Sequence, residues 1–340
     1  MRALFVLITV AGAVGVIGWP AAAYAHGGDT PDATAYRTTV TGISAPEKGL
    51  TVRTVEAGAR LQLTNKTGHS VEVLGYSGEP YLDVRPEGTY QNVNSPAAYR
   101  NETLSGDTPV PASADPTAPP TWRRLSASTT VRWHDQRTHW LSPGLPVPAA
   151  ADPSRSHRLR SWVVPLRTQV RTLEVRGTLD WEPPPRAWLW WAGSALTGIA
   201  MTVAAMRRVR PVTLITGLTP LLYAAARTLD GGTTPLVPIL AGLLAVAAAY
   251  RHRPFFLALS GAVVALFAGV AEVAVFRAAV LPAAGPGWLS RAAVVVALGG
   301  GAAMALTGVL RLRAALRAAP GRPTAQGRSG RRRVGLSFEA

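Results

Sequence analysis

Near residue 186 the chain changes solvent, and no other feature limits its fold as strongly. Up to about residue 185 the composition is that of a water-soluble β domain. Beyond it lie five apolar stretches joined by short loops, at 187–206, 211–226, 235–250, 255–276 and 289–310. A bilayer core takes about 20 residues of helix. The second and third stretches have only 16 residues each, so they extend into their flanks or tilt little. Arginines fill the loops after the first, third and fifth stretches, as Arg207-Arg208-Val209-Arg210, Arg251-His252-Arg253 and Arg311-Leu312-Arg313. The loops after the second and fourth carry Asp230-Gly231-Gly232 and Pro282, Gly285 and Pro286, flanked only by Arg227 and Arg277. Because Lys and Arg accumulate on the cytoplasmic side, this alternation predicts five transmembrane helices, entered from outside and ending inside. Trp188, Trp190 and Trp191 open the first stretch as an aromatic belt at the outer interface.

The formal charge of +16 is nearly all arginine, the only lysines being Lys48 and Lys66. Eight arginines fall in the last thirty residues, where they read as a basic, disordered cytoplasmic tail over 311–340. No basic helix or aromatic platform accompanies the charge, so nucleic acid is not an expected partner. The expected partners are the lipid bilayer, envelope proteins and metal ions. There are no cysteines, which excludes disulfides, thiolate metal sites, thiol catalysis and c-type haem attachment.

The N-terminus has the form of a secretory signal. Arg2 precedes an apolar run from Ala3 to Gly18, and Ala23-Tyr24-Ala25 is a small-x-small cleavage site. Cleavage of 1–25 leaves His26 as the first mature residue; an uncleaved anchor would add a sixth helix.

Residues 26–185 carry short alternating runs separated by turn residues. Thr38–Ile43, Leu50–Val55, Ala59–Thr64 and Val71–Leu74 read as strands, as do Ser126–Trp133, Trp162–Val164, Thr172–Val175 and Thr178–Trp181. Two proline-rich loops, over 109–120 and 143–153, interrupt them. The fold class expected is therefore α+β by segments. A signal peptide leads into an exported all-β, immunoglobulin-like sandwich, and an α-helical transmembrane bundle over 186–310 follows.

Several segments resemble a family of actinobacterial-type membrane proteins with a secreted β domain followed by about five transmembrane helices. They are Gly75-Tyr76-Ser77-Gly78-Glu79-Pro80-Tyr81-Leu82, Ser95-Pro96-Ala97-Ala98-Tyr99, Pro111-Ala112-Ser113-Ala114-Asp115-Pro116, and Trp133-His134-Asp135 with His139-Trp140. The resemblance implies the architecture and supplies no activity.

One constellation has ligand chemistry. Trp133-His134-Asp135-Gln136-Arg137-Thr138-His139-Trp140 is nearly a palindrome. If Asp135–Thr138 is a four-residue hairpin loop, His134 and His139 become cross-strand neighbours with their tryptophans on the opposite face. Two neutral imidazoles so placed chelate a divalent metal, with Asp135 as an extra oxygen ligand. His26 would add an amine and a ring nitrogen, a donor set that favours copper(II), whereas the exported part has no methionine for a copper(I) site. His26 is also the one point at which the chain is similar to exported copper chaperones and histidine-brace oxygenases. The competing reading is a Trp-His hairpin that only packs. His69 and His157 stand in loop-like settings as further candidates.

Catalytic signatures are weak. No Gly-x-Ser-x-Gly elbow precedes a helix, and Glu79, Asp83 and Glu87 read as loop and strand-edge charges. Gly299-Gly300-Gly301 lies in an apolar helix and reads as packing. Glu272, the only acid within an apolar stretch, is expected to pair with Arg277 near the outer end. These features favour a membrane-anchored binding module that is not an enzyme. A copper(II)-handling membrane protein is the first alternative and a transporter subunit the second.

Overall fold

A computed structural model describes residues 31, 33–232, 235–251 and 253–318. The expected signal peptide, His26, His252 and the tail beyond residue 318 lie outside the described residues. The chain folds as an antiparallel β region followed by a helical region.

Among the described residues, ten strands form two antiparallel sheets. They are β1 Tyr36–Ile43, β2 Leu50–Val55, β3 Arg60–Asn65, β4 Val71–Leu74, β5 Pro80–Arg85, β6 Gly88–Asn92, β7 Trp122–Ser126, β8 Thr130–Trp133, β9 His157–Arg167 and β10 Thr172–Trp181. Seven lie in the order β1-β10-β9-β4-β5-β6-β7 and three in the order β2-β3-β8. One apolar core joins the sheets: Leu61, Leu63, Val131 and Trp133 from the small sheet meet Val73, Val84, Val164, Leu166, Leu173 and Val175 from the large one. Alternation in the sequence is what builds it. β3 reads Arg-Leu-Gln-Leu-Thr-Asn, and its leucines are fully buried while Gln62 stays on the outer face.

Three strand expectations need revision. Ser126–Trp133 is two strands, and the chain crosses from the large sheet to the small one over Ala127–Thr129. Thr172–Val175 and Thr178–Trp181 are one strand, β10, continuous through Gly177, where Trp162 lies against the missing side chain. β5 and β6 have no alternating signature, because β5 is covered on both faces: Tyr81, Leu82, Asp83 and Val84 are all buried. The second proline-rich loop holds a short helix, α2 Val147–Ala151, and α1 Ala97–Arg100 follows β6.

Among the described residues, five helices form the second region: α3 Ala187–Arg207, α4 Val209–Leu229, α5 Leu236–Ala248, α6 Pro254–Phe276 and α7 Gly287–Ala318. Four of them, α3, α4, α6 and α7, are long and apolar enough to cross a membrane. α4 has recruited both flanks of its short apolar stretch. α5 has not; its 13 residues span about 20 Å at 1.5 Å per residue, against ~30 Å of hydrocarbon. α7 continues to Ala318, so the first residues of the segment expected as a disordered tail are helical.

α7 is the central helix, and its triple glycine explains how. A Cβ on Gly299 would come within 2.7 Å of Gly198 N on α3, and one on Gly301 within 2.7 Å of Ala265 N on α6. A Cβ on Gly300 would strike Thr216 on α4. Three consecutive residues thus admit the backbones of α3 and α6 and the Thr216 side chain of α4, the small-residue contact that packs membrane helices where water supplies no driving force.

α6 is irregular: a π-helical segment, Ala265–Gly269, gives way to a 3₁₀ segment, Val270–Phe276. Arg291 of α7, 8% exposed, donates to the carbonyls freed there, Nε to Val275 at 2.9 Å and Nη2 to Ala278 at 2.6 Å. Glu272 does not pair with Arg277. Its carboxylate accepts from Arg227 Nη1 of α4, 3.1 Å from both oxygens, and from the Tyr223 hydroxyl at 3.1 Å. Position 227 precedes 272 by 45 residues, so only helix packing could reveal the pair.

Candidate functional site

Three of the segments singled out in the sequence, those around Tyr76, Ser95 and His134, meet at one end of the β region. β8 ends at Trp133, and Asp135 caps a 3₁₀ turn, Gln136–Thr138, by accepting from the Arg137 amide at 3.1 Å. The expected hairpin does not form, since β8 pairs with β3 and the next strand, β9, begins only at His157. The short turn nevertheless folds His139 back over His134. Their ring centroids are 4.2 Å apart and the rings are tilted by 44°. The tryptophans part company. Trp133 is buried in the core, whereas Trp140 stacks on Tyr36 with centroids 6.4 Å apart, on the same side as the histidines.

Backbone carbonyls hold both imidazoles at Nδ1. His134 Nδ1 lies 3.1 Å from the Ala59 carbonyl oxygen, and His139 Nδ1 lies 2.9 Å from that of Asp135. With the ring N–H assigned to Nδ1, each lone pair falls on Nε2; Thr138 Oγ1 also lies 2.9 Å from His139 Nδ1. His139 Nε2 is buried and has no hydrogen-bond partner among the described residues. Burial, and then the neighbouring His134 ring, lower the His139 pKa from 6.5 to about 4, so the ring is neutral at physiological pH. The pair faces a cavity of about 180 Å³ whose wall includes Thr34, Tyr36, Thr38, Glu56, Ala57 and Trp140.

Asp135 is not a third ligand. Its side chain is fully buried, and its oxygens accept from Arg137 Nε at 2.8 Å, Arg137 Nη2 at 2.8 Å and Trp133 Nε1 at 3.1 Å. Arg137 also reaches the Leu74 carbonyl at 3.0 Å and lies over the Tyr76 ring, 5.0 Å from its centroid. Tyr76 accepts from the Gln136 amide at 3.0 Å and donates to Asn101 Oδ1. Burial, with the Asp135 charge adding to it, pushes the Tyr76 pKa up to about 12, which keeps it a neutral donor. Asp135 therefore shapes the turn that brings the histidines together.

Glu79 lies in the turn before β5 and Asp83 within β5, and both are buried rather than exposed charges. Glu79 is 5% exposed and accepts from Ser95 Oγ at 2.6 Å and the Ser77 amide at 2.9 Å. Asp83 is 4% exposed and accepts from Arg85 Nε at 2.6 Å and from Ser70. The other two described histidines stand apart from the pair. His69 Nε2 lies 2.6 Å from Glu47, which raises its pKa, and His157 Nε2 lies 2.7 Å from the Asp152 carbonyl. Among the described residues no group of three or more His, Cys, Asp or Glu side chains is placed to hold a metal.

The cavity floor is a strained turn tied to the helices, and nothing in the local sequence announces it. Glu56 and Ala57 have φ of +58° and +60°, and Gly58 has +88°, three successive left-handed residues. The two non-glycines are held there by the loop after α4: the Glu56 amide donates to the Asp230 carbonyl at 3.3 Å and the Ala57 amide to Asp230 Oδ2 at 3.1 Å. Arg132 donates to the Gly231 carbonyl, and Thr34 bridges Val280 in the loop before α7. Glu56 itself pairs with Arg60. Desolvation raises the Asp230 pKa, so the contact is sheltered from water.

No family model, no curated protein and no solved structure matches the chain, so the site is read from its own geometry.

Proposed function

We propose that this is a multi-pass membrane protein that displays its β region outside the membrane as a binding module, acting by binding and not by catalysis. A cleaved signal peptide and an immunoglobulin-like sandwich are part of this reading. The observation that carries it is the end of the helical region on which the β region sits. That end has Trp188, Trp191 and Trp288, each largely exposed on the helix surface, and the loops bearing Asp230 and Val280. The opposite end has Arg207, Arg208, Arg210, Arg251, Arg253 and Arg311. Interfacial tryptophan with fewer arginines on one side, and clustered arginine on the other, supports a β region outside and a C-terminus in the cytoplasm.

The native chain has no cysteine, so single replacements test this directly. Arg100→Cys is expected to react with a membrane-impermeant maleimide on intact cells, and Gly335→Cys to react only after lysis. Labelling of Gly335→Cys alone on intact cells would reverse the orientation. The closeness of His134 and His139 favours copper(II) handling as the second reading.

A further inference from the structure

We infer that His134 and His139 form an exchangeable two-imidazole site for a divalent transition metal, copper(II) in preference to zinc. This rests on the reading of the β region as a binding module and names the chemistry of its ligand.

Four observations carry it. The rings are 4.2 Å apart, close enough for one ion to bridge them. Each ring is fixed at Nδ1 by a backbone carbonyl, the support that metal-binding imidazoles ordinarily have, and it turns Nε2 into the ligand atom. His139 Nε2 is buried with no hydrogen bond among the described residues, and a bound ion would satisfy it. The adjoining cavity of about 180 Å³ has room for several waters at ~30 Å³ each, which complete a coordination shell.

The donor set decides which metal. Structural zinc is closed by four protein ligands, and the described residues supply two here. Neutral imidazole nitrogens with open positions suit a tetragonal copper(II) ion, which also stands highest in the divalent affinity order. Glu56 lines the cavity, but its carboxylate is paired with Arg60 and lies 3.8 Å from Arg132, so it contributes no open oxygen.

The test uses the full chain, tag-free in detergent, titrated with copper(II) and separately with zinc(II), with paramagnetic resonance of the copper-loaded protein. One copper(II) per chain is expected, with nitrogen couplings from two imidazoles and weaker zinc binding. His139→Ala and His134→Ala should each weaken copper by more than about tenfold and remove one nitrogen coupling. His157→Ala and His69→Ala should leave it unchanged. His139→Gln keeps a polar group in the turn; melting curves without metal show whether each variant folds. Saturating copper should raise the melting temperature of the native chain and not of folded His139→Gln.

Copper affinity unchanged in folded His139→Gln, or lost in His26→Ala while His139→Gln retains it, would overturn the proposal. So would tighter zinc than copper binding. None of these outcomes touches the topology labelling, so the metal assignment and the display reading fail separately.

Discussion

At the residue scale, burial governs two ionisable side chains. His139 is held neutral with a pKa of about 4 in the folded chain, against 6.5 for an ordinary histidine. Between those values the unfolded chain binds a proton that the folded chain refuses. Stability contributed by this group is therefore full above about pH 6.5 and declines as pH falls toward 4. Imidazole resonances followed by NMR should show one histidine unprotonated at pH 5; a midpoint near 6.5 for His139 would contradict its burial. Glu272 is the second case. With Arg227 it forms an ion pair whose side chains are 12% and 13% exposed. Removing one partner from such a pair leaves an uncompensated charge and costs about 3–5 kcal/mol. Arg227→Leu is expected to lower thermal stability in detergent by that order, Glu272→Gln in the same background to recover part of it, and Arg277→Ala to do little. Equal losses for Arg227→Leu and Arg277→Ala would remove the special status of the Arg227 pair.

At the element scale, the turn between β2 and β3 is the joint between the two regions. An L-residue in left-handed conformation is unfavourable by about 1–2 kcal/mol, whereas glycine is not. Ala57→Gly should therefore stabilise the chain by about 0.5–1 kcal/mol after the extra freedom of the unfolded glycine is counted. Asp230→Ala removes the acceptor of the Ala57 amide and should destabilise by about 1–3 kcal/mol. The two changes have opposite signs at one contact, which thermal melts can read. If Asp230→Ala is neutral, the carboxylate does not hold the turn. Much of the element pattern was legible beforehand. Leu61 and Leu63 announced β3 by alternation, and Gly299–Gly301 announced close helix packing. β5 was not legible, because a strand buried on both faces has no alternation to read. Nor was the conformation of Trp133–Trp140: the near-palindrome suggested paired strands, but Asp135 caps a 3₁₀ turn and Arg137 locks it to β4 and Tyr76.

At the scale of the whole molecule, hydropathy and arginine spacing in the sequence alone determined the division into a β region and a membrane-type helical region. Those signals are local: a run of apolar residues meets lipid wherever it lies, and alternation buries one face of a strand whatever its partner. The histidine pair was half visible, since two imidazoles five positions apart can meet across any tight turn. What only the tertiary structure decided were the partners of buried polar groups. Arg227 rather than Arg277 on Glu272, Arg137 rather than a metal on Asp135, Asp230 under Ala57 and Arg291 on the α6 carbonyls all join distant parts of the chain or override a nearer choice. A buried charge or amide must find a partner wherever packing delivers one, and packing is set by the sum of apolar contacts across the fold. No local pattern encodes that sum, so the polar pairings that define the site and its joint to the helices emerge only when the chain is folded.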